Sequence, residues 1–208
     1  LSGDRPRTLV IGLGRDFFDG PDSRTYLHGS THTWEALTYL DRNLRASPWL
    51  AESWKVEDRG RTWTFVIRPK VFFHDGTPVK VEHILENLKR MRTHPRYDPT
   101  GIYKNVRDLE KRGEGRVCFR LEEPSPVFAN LLAYYSSPVL HPEGFDKRGR
   151  IKELKGTGPF QVEEIRRGDR IVLKTFDRYW GPKPQYERVI FRTLLDAHSR
   201  VTDDLIMQ

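Results

Sequence analysis

The chain has 208 residues, of which 37% are hydrophobic and 31% charged, a composition typical of a folded, well-solvated globular protein rather than a disordered one. Its formal net charge of +7 permits an anionic partner, but acidic and basic residues are interleaved along the chain, which is more typical of a solvated surface. The single cysteine, Cys118, excludes an internal disulfide framework and any CxxC metal or redox motif.

The first part of the chain predicts a strand, a short helix and a hairpin. The run RTLVIGLG, closed by glycines, favours a buried strand over residues 7–14. A loop then leads to a short helix predicted around residues 33–40. The segment SPWLAESWKVEDRGRTWTFVIRP alternates apolar and polar residues on both sides of a DRG turn, so it predicts a hairpin. One face of this hairpin carries five apolar side chains: Trp54, Val56, Trp63, Phe65 and Ile67.

The next stretch, VFFHDGTPVKVEHILENLKRM, predicts a turn followed by an amphipathic helix. Thr77 is the expected cap and Pro78 the expected first-turn residue. Apolar side chains recur at helical spacing, namely Val81, Ile84, Leu85, Leu88 and Met91. We therefore expect this helix to cover the aromatic hairpin face and to form one core with it.

The remaining segments predict two more hairpins, a short helix and a final strand. The first hairpin, NVRDLEKRGEGRVCFRLEEP, turns at Gly113 and Gly115, with Cys118 as a structural thiol. The segment SPVFANLLAYYSSP predicts the helix, GPFQVEEIRRGDRIVLKTF a hairpin turning at 167–169, and YERVIFRTLLD the strand, after which AHSRVTDDLIMQ begins another helix. Gly156 and Gly158 precede the second hairpin, and positive φ is the expected reason for glycine there.

This order of segments predicts a discontinuous domain with an inserted one. Residues 1–33 and 156–208 are expected to form an incomplete first-lobe sheet domain. Residues 34–155 are expected to form an inserted α+β subdomain. The fold class predicted is therefore mixed α/β.

No segment carries a clear enzyme or cofactor signature. The run VIGLGRDFF starts like a dinucleotide fingerprint, but Phe17 stands where the third glycine is needed. No GxSxG elbow is present. His28 and His32 are four residues apart, yet no third ligand follows at a fixed spacing. We therefore predict no enzyme, no cofactor and no metal held by protein side chains.

Three long motifs resemble one protein family. They are WEALTYLDRNLRASPWLAESW, PWLAESWKVEDRGRTWTFVIRPKVFFHDGTPVKVEHILENLKRM, and GTGPFQVEEI with the downstream LKTFDRYWGPKPQYERVIFRTLLDAHSR. In order and spacing they resemble the solute-binding proteins of peptide and nickel ABC transporters, family 5. The resemblance spans residues 34–200.

The resemblance implies a periplasmic-binding-protein type II-like first lobe with the inserted α+β subdomain. It also implies a periplasmic or otherwise extracytoplasmic receptor, free or anchored as a lipoprotein. Such a receptor closes on a small peptide, a nickel or other metal complex, or a similar solute, and delivers it to an ABC permease in the membrane. Any nickel is then transported cargo rather than a cofactor. The second lobe is expected to lie outside this chain, which would represent the N-terminal portion.

Two departures from the family pattern matter. Family members often have Thr and Asp where this chain has Lys80 and His83, so their capping box is expected to be absent and the helix to start from Thr77 and Pro78. Nickel-chelate binders are expected to have an arginine after the helix that ends here in LAYYSSP, and this chain has none there. That difference weakens the case for an anionic metallophore.

The resemblance implies a ligand wall on the first lobe. We expect it to include residues before the first helix, after the long helix and at the end of the next helix: Tyr26, Leu27, His28, Arg92, Arg96, Tyr134 and Tyr135. Each has a structural alternative, since Leu27 and Tyr134 fit a core and the arginines a solvated helix end.

A basic nucleic-acid-binding module is the alternative function. Its affinity would fall steeply with salt. The absence of a basic stripe in the sequence counts against it, so we predict no nucleic-acid partner.

Overall fold

A computed structural model describes residues 7–14, 33–93, 98, 101–133 and 138–194. Within these ranges the chain forms ten β-strands and two α-helices. None of the described helices is long and apolar enough to cross a membrane.

The first sheet joins the two ends of the described chain. Its strands are β1 (Thr8–Leu13), β8 (Phe160–Arg166), β9 (Arg170–Thr175) and β10 (Arg188–Thr193), in the spatial order β1-β10-β9-β8. We call it the terminal sheet. β1 is parallel to β10, and the other neighbours are antiparallel. The predicted strand at 7–14 and the hairpin turning at 167–169 are confirmed, although β1 is half-buried rather than buried.

The segment predicted as a helix over residues 33–40 is extended instead. Glu35 pairs with Val139 in a β-bridge, and β2 (Thr38–Leu40) pairs with β3 (Ala46–Pro48). Trp34 and Leu37 are both buried from this extended backbone. Tertiary packing and bridge pairing therefore override the local pattern.

The second sheet contains both central hairpins. It comprises β4 (Ala51–Glu57), β5 (Thr62–Ile67), β6 (Val106–Lys111) and β7 (Arg116–Leu121), all antiparallel and in the order β4-β5-β7-β6. We call it the central sheet. In the first hairpin Trp54 lies opposite Phe65 and Val56 opposite Trp63, so the predicted apolar face is confirmed.

Helix α1 (Val81–Thr93) covers this sheet, together with the short α2 (Phe128–Leu132). The five predicted apolar residues of α1 are buried in one cluster with Trp63, Phe65 and Ile67. The common core of helix and hairpin is therefore confirmed. A smaller cluster on the terminal sheet contains Phe160, Ile171, Leu173, Val189 and Phe191. The division into a discontinuous sheet domain at 1–33 and 156–208 and an inserted subdomain at 34–155 stays a prediction.

The start of α1 differs from the prediction. The helix begins at Val81, while Pro78 lies earlier in a bridge with Phe72. The backbone N–H of Lys80 donates to Nδ1 of His83 at 3.4 Å. His83 thus supplies the contact that a carboxylate supplies in a capping box, and Thr77 and Pro78 do not start the helix.

Candidate functional site

The described ends of two predicted binding segments lie side by side. Thr33 follows the segment with Tyr26, Leu27 and His28, and its carbonyl accepts from the Gly158 N–H at 3.1 Å. Val139, just after the segment with Tyr134 and Tyr135, donates to the Glu35 carbonyl at 2.8 Å.

The side-chain amide of Asn87 on α1 donates to the carbonyl of Pro138. The chain after Tyr134 and Tyr135 is therefore also held against α1. The ends of these segments converge at one junction, which we call the crossing, formed by residues 33–35, 138–139 and 156–158.

Gly156 is needed at the crossing for a different reason than expected. Neither Gly156 nor Gly158 has positive φ, so that expectation is wrong. A Cβ at position 156 would lie 2.0 Å from the Thr33 carbonyl oxygen and 2.8 Å from Trp34 Cα, both backbone atoms. Close approach of two backbone segments, rather than a special dihedral angle, therefore requires glycine.

Of the seven site residues predicted from the sequence, Arg92 lies within the described part of the chain. It is exposed near the end of α1, and its guanidinium donates to the Arg107 carbonyl on β6 at 3.2 Å. This contact braces the helix end against the central sheet, as in the structural alternative. The other predicted site residues lie outside the described ranges, and their roles stay predictions: Tyr26, Leu27, His28, Arg96, Tyr134 and Tyr135.

A buried carboxylate lies at the crossing. Glu35 is only 6% exposed. Its Oε1 accepts from the Tyr179 hydroxyl at 2.8 Å, and its Oε2 accepts from Trp180 Nε1 at 2.9 Å and from Thr157 Oγ1 at 3.1 Å. Burial raises the pKa of Glu35, and the hydrogen bonds from Trp180, Tyr179 and Thr157 oppose that rise. Burial and the nearby Glu35 charge also raise the pKa of Tyr179.

This arrangement ties the crossing to the loop after β9. The Arg68 guanidinium carbon lies 4.4 Å from the centroid of the Trp180 ring, and Arg68 Nε donates to the Trp49 carbonyl at 3.0 Å. Both carboxylate oxygens of Glu35 are engaged by protein donors. We therefore interpret Glu35 as a structural anchor rather than a ligand contact.

A shallow pocket of about 240 Å³ opens beside the crossing. It is lined by His74, Asp75, Lys152, Glu153, Leu154, Lys155, Gln161, Val162 and Ile165. Drug-sized ligands usually occupy pockets of roughly 300 Å³ or more. The pocket is therefore small for the peptides predicted from the sequence.

Two polar side chains of this pocket, His74 and Asp75, have partners in the surrounding structure. Burial lowers the pKa of His74, whose Nε2 lies 3.1 Å from the Gly158 carbonyl. Asp75 lies 3.8 Å from both His141 Nε2 and Lys155 Nζ. Burial opposes ionisation of Asp75, but hydrogen bonds from Thr77 and the charges of His141 and Lys155 outweigh it, so its pKa is lowered. The described residues contain no cluster of three metal-ligand side chains.

The family assignment comes from residues 45–203, which match the family described as bacterial extracellular solute-binding proteins, family 5 Middle. The chain therefore belongs to the family 5 bacterial extracellular solute-binding proteins, and the resemblance seen in the sequence is confirmed. Glutathione-binding protein GsiB of Escherichia coli O1:K1 / APEC is 27% identical over 210 residues, covering 93% of this chain and 40% of the relative.

Two solved structures support the same fold. An ABC transporter substrate-binding protein from Sinorhizobium meliloti is 28% identical, with a TM-score of 0.85 over 94% of this chain and 41% of the other. NikA from Brucella suis, in complex with Fe(III)-EDTA, has a TM-score of 0.88 at 24% identity, over 96% of this chain and 42% of the other. The predicted mixed α/β, type II-like fold is confirmed.

The match covers nearly all of this chain but less than half of each relative. The chain spans about 40% of the length of the curated relatives it matches. The relatives are binding proteins, in agreement with the prediction that the chain is not an enzyme. The family assignment favours the solute-binding interpretation over the nucleic-acid alternative.

Sequence reasoning missed the Glu35 anchor. The available signal was one acidic residue inside the apolar run TWEALTYL, together with two aromatic donors in DRYWG. Because Glu35 and Tyr179 are 144 positions apart, no local pattern connects them.

Proposed function

We propose that this chain forms the first-lobe part of the solute-binding component of an ABC importer. The component works outside the cytoplasm, binds a small solute between two lobes and delivers it to a membrane permease. The single observation that carries the proposal is the family match over residues 45–203. The named relatives add support, since they include a glutathione-binding protein and an ABC transporter substrate-binding protein.

The proposed solute is a small peptide, with a nickel complex or a similar solute as the second candidate. Glutathione is itself a small peptide, and GsiB is 27% identical to this chain. A structure of AgaA in complex with agropinic acid, at 25% identity, widens the class to other small organic acids. The Tyr-Tyr-Ser-Ser sequence at 134–137 disfavours an anionic metallophore, because no arginine stands there.

The proposed ligand wall comprises the seven residues predicted from the sequence: Tyr26, Leu27, His28, Arg92, Arg96, Tyr134 and Tyr135. Support comes from the crossing, where the ends of two of these segments lie together and one of them is held against α1. Tyrosine side chains would offer large apolar contacts with a polar tip, and arginine would pair with carboxylates. Such a wall suits a short peptide with a free carboxylate.

The test uses protein expressed from its own gene with the native flanking sequence. Thermal unfolding and calorimetry are measured with glutathione, a set of dipeptides to pentapeptides, and Ni(L-His)₂. We expect one peptide class to bind with a dissociation constant near micromolar and to raise the unfolding midpoint. Tyr134→Ala and Arg96→Ala should weaken binding at least tenfold.

Arg120→Ala is the matched control, because Arg120 pairs with Glu110 within the central sheet at 2.9 Å. It should leave affinity unchanged. If no solute binds better than about millimolar, the proposed function is wrong. Tight, steeply salt-dependent binding of single-stranded DNA would instead favour the nucleic-acid alternative.

A further inference from the structure

Two histidine rings meet over a buried phenylalanine at the start of α1. The ring centroids of His83 and His141 are 5.8 Å apart. Phe73, which is 0% exposed, lies 5.6 Å from the His83 ring and 4.8 Å from the His141 ring. His141 is itself buried at 7% exposure.

Both rings use Nδ1 as a hydrogen-bond acceptor at the beginning of a helical turn. Nδ1 of His83 accepts from the Lys80 N–H at 3.4 Å, ahead of α1. Nδ1 of His141 accepts from the Glu143 N–H at 3.2 Å, in the 3-10 turn Pro142–Gly144. A ring nitrogen accepts only while it carries no proton, so both contacts require neutral rings with the proton on Nε2.

We propose that His83 and His141 form a proton-sensitive latch. A proton on Nδ1 of His83 breaks the cap at the start of α1, and a proton on Nδ1 of His141 breaks the cap of the 3-10 turn Pro142–Gly144. The protonated Nδ1 becomes a donor that faces a backbone N–H, so acceptance is replaced by repulsion. A second proton then places a like charge 5.8 Å from the first. The carboxylate usually found in a capping box keeps accepting well below pH 6, whereas an imidazole does not.

The surrounding charges set the pH response. Lys80, just before α1, and Glu82 and Glu86 within it face His83. Lys111 on β6 pairs with Glu82. Burial, then the charges of His141 and Lys80, lowers the pKa of His83 from 6.5. The contribution of neutral His83 to stability is therefore complete above pH 6.5 and is lost as the pH falls through the lower folded-state value.

The groups around His141 come from several elements. Asp75, in the turn before α1, lies 3.8 Å from Nε2 of His141. Asp75 also faces Lys155, which pairs with Glu153 at 3.5 Å. Glu143 lies in the 3-10 turn that follows His141. Arg90 of α1 packs on the nearby Phe145 ring. Because Asp75 already faces a lysine, it does not compensate two imidazolium charges at once.

The test is NMR spectroscopy of the 208-residue chain at pH 7.5 and pH 5.0. Long-range imidazole spectra at pH 7.5 should show both Nδ1 atoms unprotonated. Amide-exchange protection at Lys80, corrected for the intrinsic rate, should fall roughly fivefold or more at pH 5.0, as expected for loss of one hydrogen bond. Glu143 should lose protection only where the spectra show a proton on Nδ1 of His141. The Leu121 amide, bonded to the Arg61 carbonyl at 2.8 Å in the central sheet, serves as the internal control and should change less than twofold.

His83→Asp is the matched variant, because an aspartate at this position caps without titrating between these pH values. It should keep Lys80 protected at pH 5.0. A proton on either Nδ1 at pH 7.5, or unchanged protection at Lys80 at pH 5.0, would overturn the proposal. So would a His83→Asp variant that loses Lys80 protection as the parent chain does.

Discussion

The Tyr179 hydroxyl lies 2.8 Å from the Glu35 carboxylate, although 144 positions separate the two residues in the sequence. Together with Trp180 and Thr157, this contact joins the extended segment at 33–35 to the two ends of the β8–β9 hairpin. The anchor thus connects the part of the chain that carries the central sheet to the terminal sheet. Substitution of Glu35 measures how much the anchor contributes to the free energy of unfolding.

Replacing Glu35 should distinguish loss of the acceptor from loss of the charge. Glu35→Ala removes the acceptor of the half-buried Tyr179 and Trp180 donors and of the buried Thr157 hydroxyl. We expect a loss of roughly 3 kcal/mol in the free energy of unfolding. Glu35→Gln keeps one oxygen for Trp180 and Thr157, while its amide can donate to the Tyr179 oxygen. That variant should lose less than about 1.5 kcal/mol in urea melts. Equal losses in both variants would contradict the anchor.

The parent chain and the Glu35→Gln variant together test the raised pKa of Glu35. The folded-state pKa of Glu35 lies above the ordinary value of 4.5. At a pH between these two pKa values, Glu35 is therefore protonated in the folded protein and ionised in the unfolded chain. The contribution of Glu35 to stability is complete below 4.5 and is lost as the pH rises through the folded-state value. The stability of the parent chain relative to Glu35→Gln should therefore be greater at pH 4.5 than at pH 8. A difference that stays flat, or grows toward pH 8, would show that burial does not govern this carboxyl.

The fold could largely be predicted where its pattern is local. Alternation around DRG and helical spacing after HDG each specify which face is apolar, so the hairpin, α1 and their common core were predicted correctly. Residues 33–40 were not, because Trp34 and Leu37 are buried from an extended segment whose bridge partner, Val139, lies far along the chain. Nonlocal pairing leaves no trace in a short window of sequence.

Trp63 should be among the most costly core residues to truncate. It is 4% exposed, its Nε1 donates to the Gly60 carbonyl at 3.0 Å, and its ring lies 5.9 Å from that of Phe128. We expect Trp63→Ala to lose about 3–5 kcal/mol in urea melts. Val56, directly opposite on the same face but 44% exposed, is the control, and Val56→Ala should change stability by about 0.5 kcal/mol or less. A loss below about 1 kcal/mol for Trp63→Ala would place its side chain at the surface.

Alanine substitutions at two glycines distinguish the cost of steric crowding from the cost of a strained backbone dihedral angle. Gly156→Ala places its Cβ 2.0 Å from a backbone oxygen, so the crossing must move, and we expect a loss of about 3 kcal/mol or more. Gly113 has φ of +68° with nothing within 4 Å of the added carbon, so Gly113→Ala should cost only about 1 kcal/mol. Chemical denaturation of both variants tests this order. Gly156→Ala as stable as the parent would show that the backbone segments at 33–34 and 156 do not approach each other this closely.

The candidate site was predictable only through family resemblance. Composition and spacing excluded enzyme and nucleotide-binding motifs, but they gave no position for a ligand. His83 illustrates the physical reason. The sequence showed that the usual carboxylate was missing, yet only the geometry reveals that an imidazole nitrogen replaces it in the cap. An imidazole nitrogen accepts or donates according to where its proton lies, so the residue type alone does not assign His83 to the cap.

The central claim is that this chain supplies one wall of a two-lobe site, and calorimetry of the 208-residue chain alone tests it most directly. The titrants are glutathione, a tetrapeptide library and Ni(L-His)₂. One wall of a micromolar site, worth about −8 kcal/mol in total, retains roughly −4 kcal/mol, which corresponds to a millimolar dissociation constant. We therefore predict no binding tighter than about 10 μM, whereas a dissociation constant below about 10 μM for any titrant would mean that the site is complete within these residues.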